Sequence, residues 1–274
     1  MILIAIILGT LTAGIGSVWL AAALSFGVLA RYTQHMLSLA AGALLATAFM
    51  HLLPEAFESQ AGAKDLFMTL LIGLVFFFLL DKAELWHHGH EHHHHHHHDQ
   101  HERPHGTQHH DGNAHAHHDN HAAPKAGSWA VLTGDSVHCF GDGMLIASAF
   151  MADIRLGATV ALAVLVHEVP HHMGDLMVLR AGSGNKRMAL VKVSLAGAVT
   201  AIGGVLGYWL VEQLRDWLPY FLVIASSSFV YVALADLIPQ LQKRLSARQT
   251  AAQIAWLAVG IAMVTAISGL AHGH

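Results

Sequence analysis

Charge is what this sequence has least of. Its 274 residues hold 14 Lys and Arg and 18 Asp and Glu, so charged residues make up 12%. Soluble globular proteins carry roughly 25%. With 54% of the chain hydrophobic and a mean hydropathy of +0.47, too few charges remain to clothe a soluble surface. Cysteine is nearly absent as well, and Cys139 alone excludes a disulfide framework and a CxxC zinc ribbon. No Lys/Arg stripe exists that could follow a phosphate backbone, which excludes a nucleic-acid partner. No GxxxxGK[ST] run appears, so nothing points to nucleotide-driven chemistry.

What the chain does have is long apolar stretches. A spanning helix needs about 20 mostly apolar residues. Short polar clusters delimit eight candidates, near Ile2–Leu29, His35–Ala56, Leu66–Trp86, Gly127–Met151, Leu156–Leu179, Val193–Val211, Trp217–Leu241 and Thr250–Leu270. The sequence thus predicts an all-α integral membrane protein with eight transmembrane helices, its partner the lipid bilayer. The third stretch is the weakest, since only Leu66–Leu80 is free of charge before Asp81. The fourth and fifth carry ionisable residues that a hydropathy scan alone would score down. The first is kept as a span rather than a signal peptide. It has no basic start, and its uncharged run from Met1 to Ala30 exceeds a signal core of roughly 7–15 residues.

Orientation follows from the cations. One set of loops holds Arg31, then Lys82, Arg103 and Lys125, then Arg180, Lys186, Arg187 and Lys192, then Lys243, Arg244 and Arg248. The opposite side holds only Lys64, Arg155 and Arg215. The imbalance predicts both termini outside and the loop after helix three in the cytoplasm. Three regions result: helices one to three over residues 1–86, a cytosolic loop over 87–126, and helices four to eight over 127–274, all in one membrane domain.

Eighteen of the 26 histidines crowd between His87 and His121. So polar a segment cannot bury enough surface to offset its chain entropy, and it reads as disordered. Dense imidazoles bind borderline metals. The run His92–His98 raises the question of a purification tag, but it is internal and trails into degenerate His-rich sequence.

Ionisable groups within a span are costly and mark a site or a pathway. Helix four reads DSVHCFGDG, placing Asp135, His138, Cys139 and Asp142 on a stripe about 100° wide. His138 and Asp142 stand four apart on one face, the spacing of two ligands to one metal. Helix five reads VHEVPHHMGD: His167, His171 and Asp175 step by four, flanked by Glu168 and His172. Pro170 frees backbone carbonyls beside them. Gly141 and Gly143 allow close approach to helix four by another helix or by a hydrated ion. A lone membrane histidine is more often a packing residue. Here several carboxylates face imidazoles with no Lys or Arg in either span core, and a divalent cation would supply the missing charge.

HCFGDG followed by HEVPHHMGD resembles the paired helix-four and helix-five motifs of the Zrt/Irt-like (ZIP) metal transporters, nearest the branch whose fifth helix reads HEVPHE. HLLPEAF (His51–Phe57), YVALADLIP (Tyr231–Pro239), the eight spans and the His loop fit the same family. The resemblance implies uptake of divalent metal into the cytoplasm by alternating access. It implies His138, Asp142, His167 and His171 as the main ligands. Cys139 and Glu168 stand where binuclear members hold a second metal, and Asp236 where the family has a cytoplasmic exit residue. Asp175 and His51 are further pathway candidates, a packing role for His51 being equally open.

Three departures bear on this reading. Cys139 replaces an Asn, His172 replaces the last Glu of HEVPHE, and helix six carries Thr200 where binuclear members have a carboxylate. The expectation is one tightly held metal, with a thiol beside imidazoles favouring Zn²⁺, then Cd²⁺, with Fe²⁺ also open. The metal is the substrate, and no cofactor is required.

Three rivals are weighed. A metal exporter would share HxxxD pairs and His loops, but those chains resemble six spans followed by a soluble domain. A nickel/cobalt permease would show HxxxxDH, which is missing. An intramembrane zinc metalloprotease would use HEVPH as HExxH, with Glu168 as base. Pro170 lies inside that motif, however, and the helix-four ligands would have no use in a protease. The reading is therefore a transporter and not an enzyme, a multi-pass protein of a bacterial inner membrane, with a homodimer as the assembly to test.

Overall fold

The computed structural model describes residues 1–25, 33–89, 125–183, 185–241 and 246–272. The histidine run His92–His98 and the rest of 90–124 lie outside the described residues, as does the end of the first predicted span. Among the described residues the secondary structure is helical throughout. Eight long segments follow in order: α1 (Ile2–Leu24), α2 (Thr33–Phe57), α3 (Ala63–Gly89), α4 (Lys125–Ala152), α5 (Ile154–Ser183), α6 (Lys186–Gln213), α7 (Arg215–Leu241) and α8 (Ala247–His272).

Six of these, α1, α2, α3, α6, α7 and α8, are long and apolar enough to cross a membrane. α4 and α5 are at least as long, at 28 and 30 residues, but they carry the ionisable motifs. The outer faces are those of a protein in lipid. Phe67, Leu71, Ile72, Phe78 and Leu79 on α3, Leu195, Ile202 and Leu206 on α6, and Ile254 and Val259 on α8 all stand exposed.

α6 begins at Lys186, seven residues before the predicted start at Val193. The Asn185 side chain accepts from the Arg187 and Met188 N–H groups, which caps the helix early. Long cationic side chains can lie along such an end with their charges in water. α2 and α7 each contain one widened π turn, Ala48–Leu52 and Val232–Leu237. Both have a physical cause. Pro54 and Pro239 follow immediately, and a proline ring clashes with the carbonyl four residues back, which falls at Met50 and Ala235 inside those turns.

Small residues set the closest helix pairs. A Cβ on Gly143 of α4 would strike the Thr200 carbonyl of α6, and one on Gly203 would strike the Phe140 carbonyl. Gly42 and Gly260 do the same between α2 and α8. α1, α4, α5 and α6 thereby pack on one another, α3 lies on α7, and α2 bridges to α5 and α7. Two large apolar clusters fill the bundle, with a third, small one of Ala43, Ala46 and Val264 between α2 and α8. One large cluster gathers Ile6, Leu44, Ile146, Val164 and Phe229; the other gathers Val18, Leu132, Met173 and Val193. The ionisable residues of α4 and α5 fall in the layer between them.

Candidate metal centre

α4 and α5 form a helical hairpin with a very tight turn. The Asp153 carboxylate accepts from the Arg155 and Leu156 N–H groups at 2.8 and 3.1 Å, capping α5 one residue after α4 ends. The two motifs stand at similar distances on either side of that turn, so folding it lays DSVHCFGDG against VHEVPHHMGD.

Two groups of side chains that could hold a metal ion result. His138, Asp142, His167 and Glu168 form the first; Asp135, Cys139, Glu168 and His172 form the second. Within each group the ligand atoms lie within 4.8 Å of one another. Glu168, fully buried, belongs to both and gives one oxygen to each. Its Oε1 lies 3.1 Å from His138 Nε2 and 3.3 Å from His167 Nε2. Its Oε2 lies 3.2 Å from His172 Nε2 and 3.7 Å from Cys139 Sγ. Asp142 Oδ2 closes the first group at 3.3 Å from His167 Nε2 and 3.9 Å from His138 Nε2. Asp135 Oδ1 closes the second at 3.6 Å from His172 Nε2 and 3.7 Å from Cys139 Sγ.

In the second group the Cys139 thiol donates to Glu168 and Asp135, whereas the short distances of the first group are not hydrogen bonds of good geometry. His138 Nε2, His167 Nε2, Asp142 Oδ2 and Glu168 Oε1 are buried without a hydrogen-bond partner. His167 Nδ1 lies 3.2 Å from the Ala163 carbonyl, which can only accept, so Nδ1 holds the proton and Nε2 turns a lone pair on Asp142 and Glu168. Lone pairs converging from several sides, with three carboxylates and no Lys or Arg among them, want a cation. The mixture of imidazole, carboxylate and thiolate is a Zn²⁺ donor set.

His171, expected with the main ligands, stands one step away. Its ring centroid is 5.7 Å from that of His138 and 6.0 Å from that of His167, and it belongs to neither group. Its Nε2 is instead 3.2 Å from Asp236 Oδ2 on α7. His171, Asp236 and Asp175 line a cavity of about 460 Å³ together with Asp81, and it runs to His138 and Asp142. Tyr231 donates to Asp81 Oδ2 at 3.0 Å on the cavity wall. Gly141 also lines the cavity, with open space where a Cβ would be, whereas Gly143 is locked against α6.

Beyond the first group the bundle is closed by Ile146 and Ala149 of α4, Ala163 and Val164 of α5, and Phe229 of α7, all buried. His51 sits half-buried in the π turn of α2, outside both ligand groups and off the cavity wall. The sequence reading did not put Asp135 or His172 among the candidate ligands, although both lie on the helix faces it marked. Asp81 had a signal too, as the charge that interrupts the third apolar stretch.

Comparisons with known proteins agree on one family. A family model described as ZIP Zinc transporter matches residues 1–268. The chain is similar to the zinc transporter foi of Drosophila melanogaster, 37% identical over 142 residues, a stretch covering 51% of this chain and 20% of that protein. It is 36% identical over 118 residues to the human zinc transporter ZIP4, covering 42% of this chain and 18% of ZIP4. With the zinc transporter ZIP13 of Pongo abelii the identity is 25% over 291 residues, covering 96% and 77%. The chain thus spans a fifth or less of the length of the first two relatives.

Proposed function

The chain belongs to the ZIP zinc transporter family, and from that premise we propose that it carries Zn²⁺ across a membrane into the cytoplasm. Its six long apolar helices and its family make it a multi-pass membrane protein. In this reading α4 and α5 span as well, which gives eight helices with both termini outside and the imidazole-rich segment 87–126 in the cytoplasm.

The observation that carries the reading is the sharing of Glu168 between two buried ligand groups that contain no cation of their own. His138, Asp142, His167 and Glu168 hold the transported ion. Asp135, Cys139 and His172, with the other oxygen of Glu168, offer a second position. The helix-six carboxylate that binuclear relatives use is missing, and Asp135 and His172 make up for it. His171, Asp175 and Asp236 line the way out through the cavity.

The apolar closure beyond the first group supports alternating access: the ion reaches the site from one side at a time. Ligands drawn from two helices release the ion when the helices shift relative to each other. Neutral imidazole is the binding form. Cd²⁺, which favours the same donors, and Fe²⁺ would compete.

The test is flux into proteoliposomes loaded with a zinc-sensitive dye, comparing the protein with His138→Ala and His171→Ala and running Cd²⁺, Fe²⁺ and Mn²⁺ beside Zn²⁺. Saturable zinc flux that both substitutions abolish is the expected result. Stoichiometric zinc binding without flux under any gradient would overturn the proposal.

A further inference from the structure

His172 is fully buried, and it is the only imidazole of the second ligand group. Its Nδ1 lies 2.9 Å from the Ser17 hydroxyl of α1. That hydroxyl lies 2.7 Å from the Gly14 carbonyl oxygen. A carbonyl can only accept, so at this distance the serine proton belongs to Gly14. The Ser17 oxygen is left to accept from His172, and His172 must carry a proton on Nδ1. Its other nitrogen, Nε2, then presents a lone pair. Nε2 is the atom that faces Glu168 Oε2 at 3.2 Å, Asp135 Oδ1 at 3.6 Å and Cys139 Sγ at 4.0 Å.

α1 is built to bring Ser17 there. Residues Thr12–Gly16 form a π turn, and Ser17 is the first residue after it. No proline follows this turn, unlike those in α2 and α7, so backbone chemistry does not require it. Inside it, Gly14 lies where a Cβ would collide with the Gly197 carbonyl of α6 and crowd the Thr200 side chain. Only glycine allows α1 this close. A serine bonding back to its own helix needs no imidazole opposite it, and here one stands at hydrogen-bond distance with no exposure to solvent.

We propose that Ser17 is a positioning residue for the second ligand group, one that sets the tautomer and ring orientation of His172 so that Nε2 is ready for a divalent cation. Outer partners of this kind commonly change metal affinity by about 10–100-fold when removed. The inference rests on the two-group reading given above.

Cobalt distinguishes the two positions, because only the second contains a thiolate, and thiolate coordination adds a charge-transfer band absent from a nitrogen–oxygen site. The full-length protein in detergent is titrated with Co²⁺ as wild type, Ser17→Ala and Ser17→Thr. The expected result is a thiolate band in the wild type whose midpoint moves about 10–100-fold higher in Ser17→Ala. Ser17→Thr, which keeps the hydroxyl, should restore it, and the absorption of the nitrogen–oxygen site should stay unchanged in all three. A thiolate band with the same midpoint in Ser17→Ala overturns the role of Ser17 and leaves the two groups standing. Loss of both sites in Ser17→Ala also overturns it, since Ser17 would then support the whole helix pair. No thiolate band in the wild type overturns the two-group reading itself, and the Ser17 assignment with it.

Discussion

His171 Nε2 on α5 lies 3.2 Å from Asp236 Oδ2 on α7, which links the α4–α5 hairpin to the wall of the cavity. On the proposed route an ion leaving His138 and Asp142 meets this pair next. Asp236→Asn removes the charge that would draw the ion outward while leaving both ligand groups intact. The expected result is a maximal zinc flux lower by about tenfold, the scale of one charged hydrogen bond. Binding stoichiometry measured by equilibrium dialysis should not change.

Glu168→Gln strikes both groups at once. It replaces one lone-pair oxygen with an N–H₂ group aimed at imidazole nitrogens and removes a buried charge. Breaking one side of a buried charged arrangement costs about 3–5 kcal/mol, so zinc affinity by calorimetry should fall by about 100-fold or more. Asp142→Asn touches only the first group. It should abolish flux and still leave the thiolate–cobalt band of the second.

Acid should weaken zinc binding. The ligand form of His138, His167 and His172 is the neutral imidazole, and a proton on Nε2 competes with the metal for the same lone pair. Uptake measured from about pH 7.5 down to about pH 5.5, the range in which histidine ordinarily titrates, should fall as the pH falls. The sign is the test: uptake that rose under acid on the metal side would contradict a site built on bare Nε2 atoms.

The two glycines of HCFGDG should behave oppositely. Gly143→Ala forces a methyl group against the Thr200 carbonyl and the Gly204 backbone, and should destabilise the α4–α6 pair by about 1–3 kcal/mol. Gly141→Ala meets open space and should leave thermal unfolding in detergent unchanged.

The imidazole-rich segment is proposed to feed back on transport when cytoplasmic metal is plentiful. Deleting 89–120 should leave zinc affinity at the helices unchanged and remove the slowing of uptake at high internal zinc. Unchanged shut-off in the deletion would refute that role.

Much of the site was legible because membrane helices make ionisable residues conspicuous. His138, Asp142, His167 and Glu168 stand out on two periodic faces, and the structure gathers these four around one point. His171 shows what periodicity leaves open. Spacing of four from His167 puts it on the same face, but one turn along α5 carries it past the first group to Asp236. Asp135 and His172 share the opposite shortfall. Each lies on a marked face, yet what makes it a candidate ligand is its opposition to the other across the hairpin, which no single helix projection contains. Ser17 was beyond reach altogether: a serine in an apolar stretch has no signal until a π turn and Gly14 bring it against α5. The helix boundaries slipped for a simpler reason, since Asn185 starts α6 within a cationic segment that composition marks as a loop.

The buried apolar side chains that close the bundle beyond Asp142 and His167 also make it an electrical insulator. In the proposed alternating-access cycle the cavity on the other side opens to one solution and takes its potential. In that cycle a transmembrane voltage would fall mainly across the buried layer of Ile146, Ala149, Ala163, Val164 and Phe229. One charge crossing 100 mV exchanges about 2.3 kcal/mol with the field, and a divalent cation twice that. Filling the ligand groups from the cavity should then be nearly indifferent to voltage. The rearrangement that moves the loaded site past that layer should carry almost all of the electrical work.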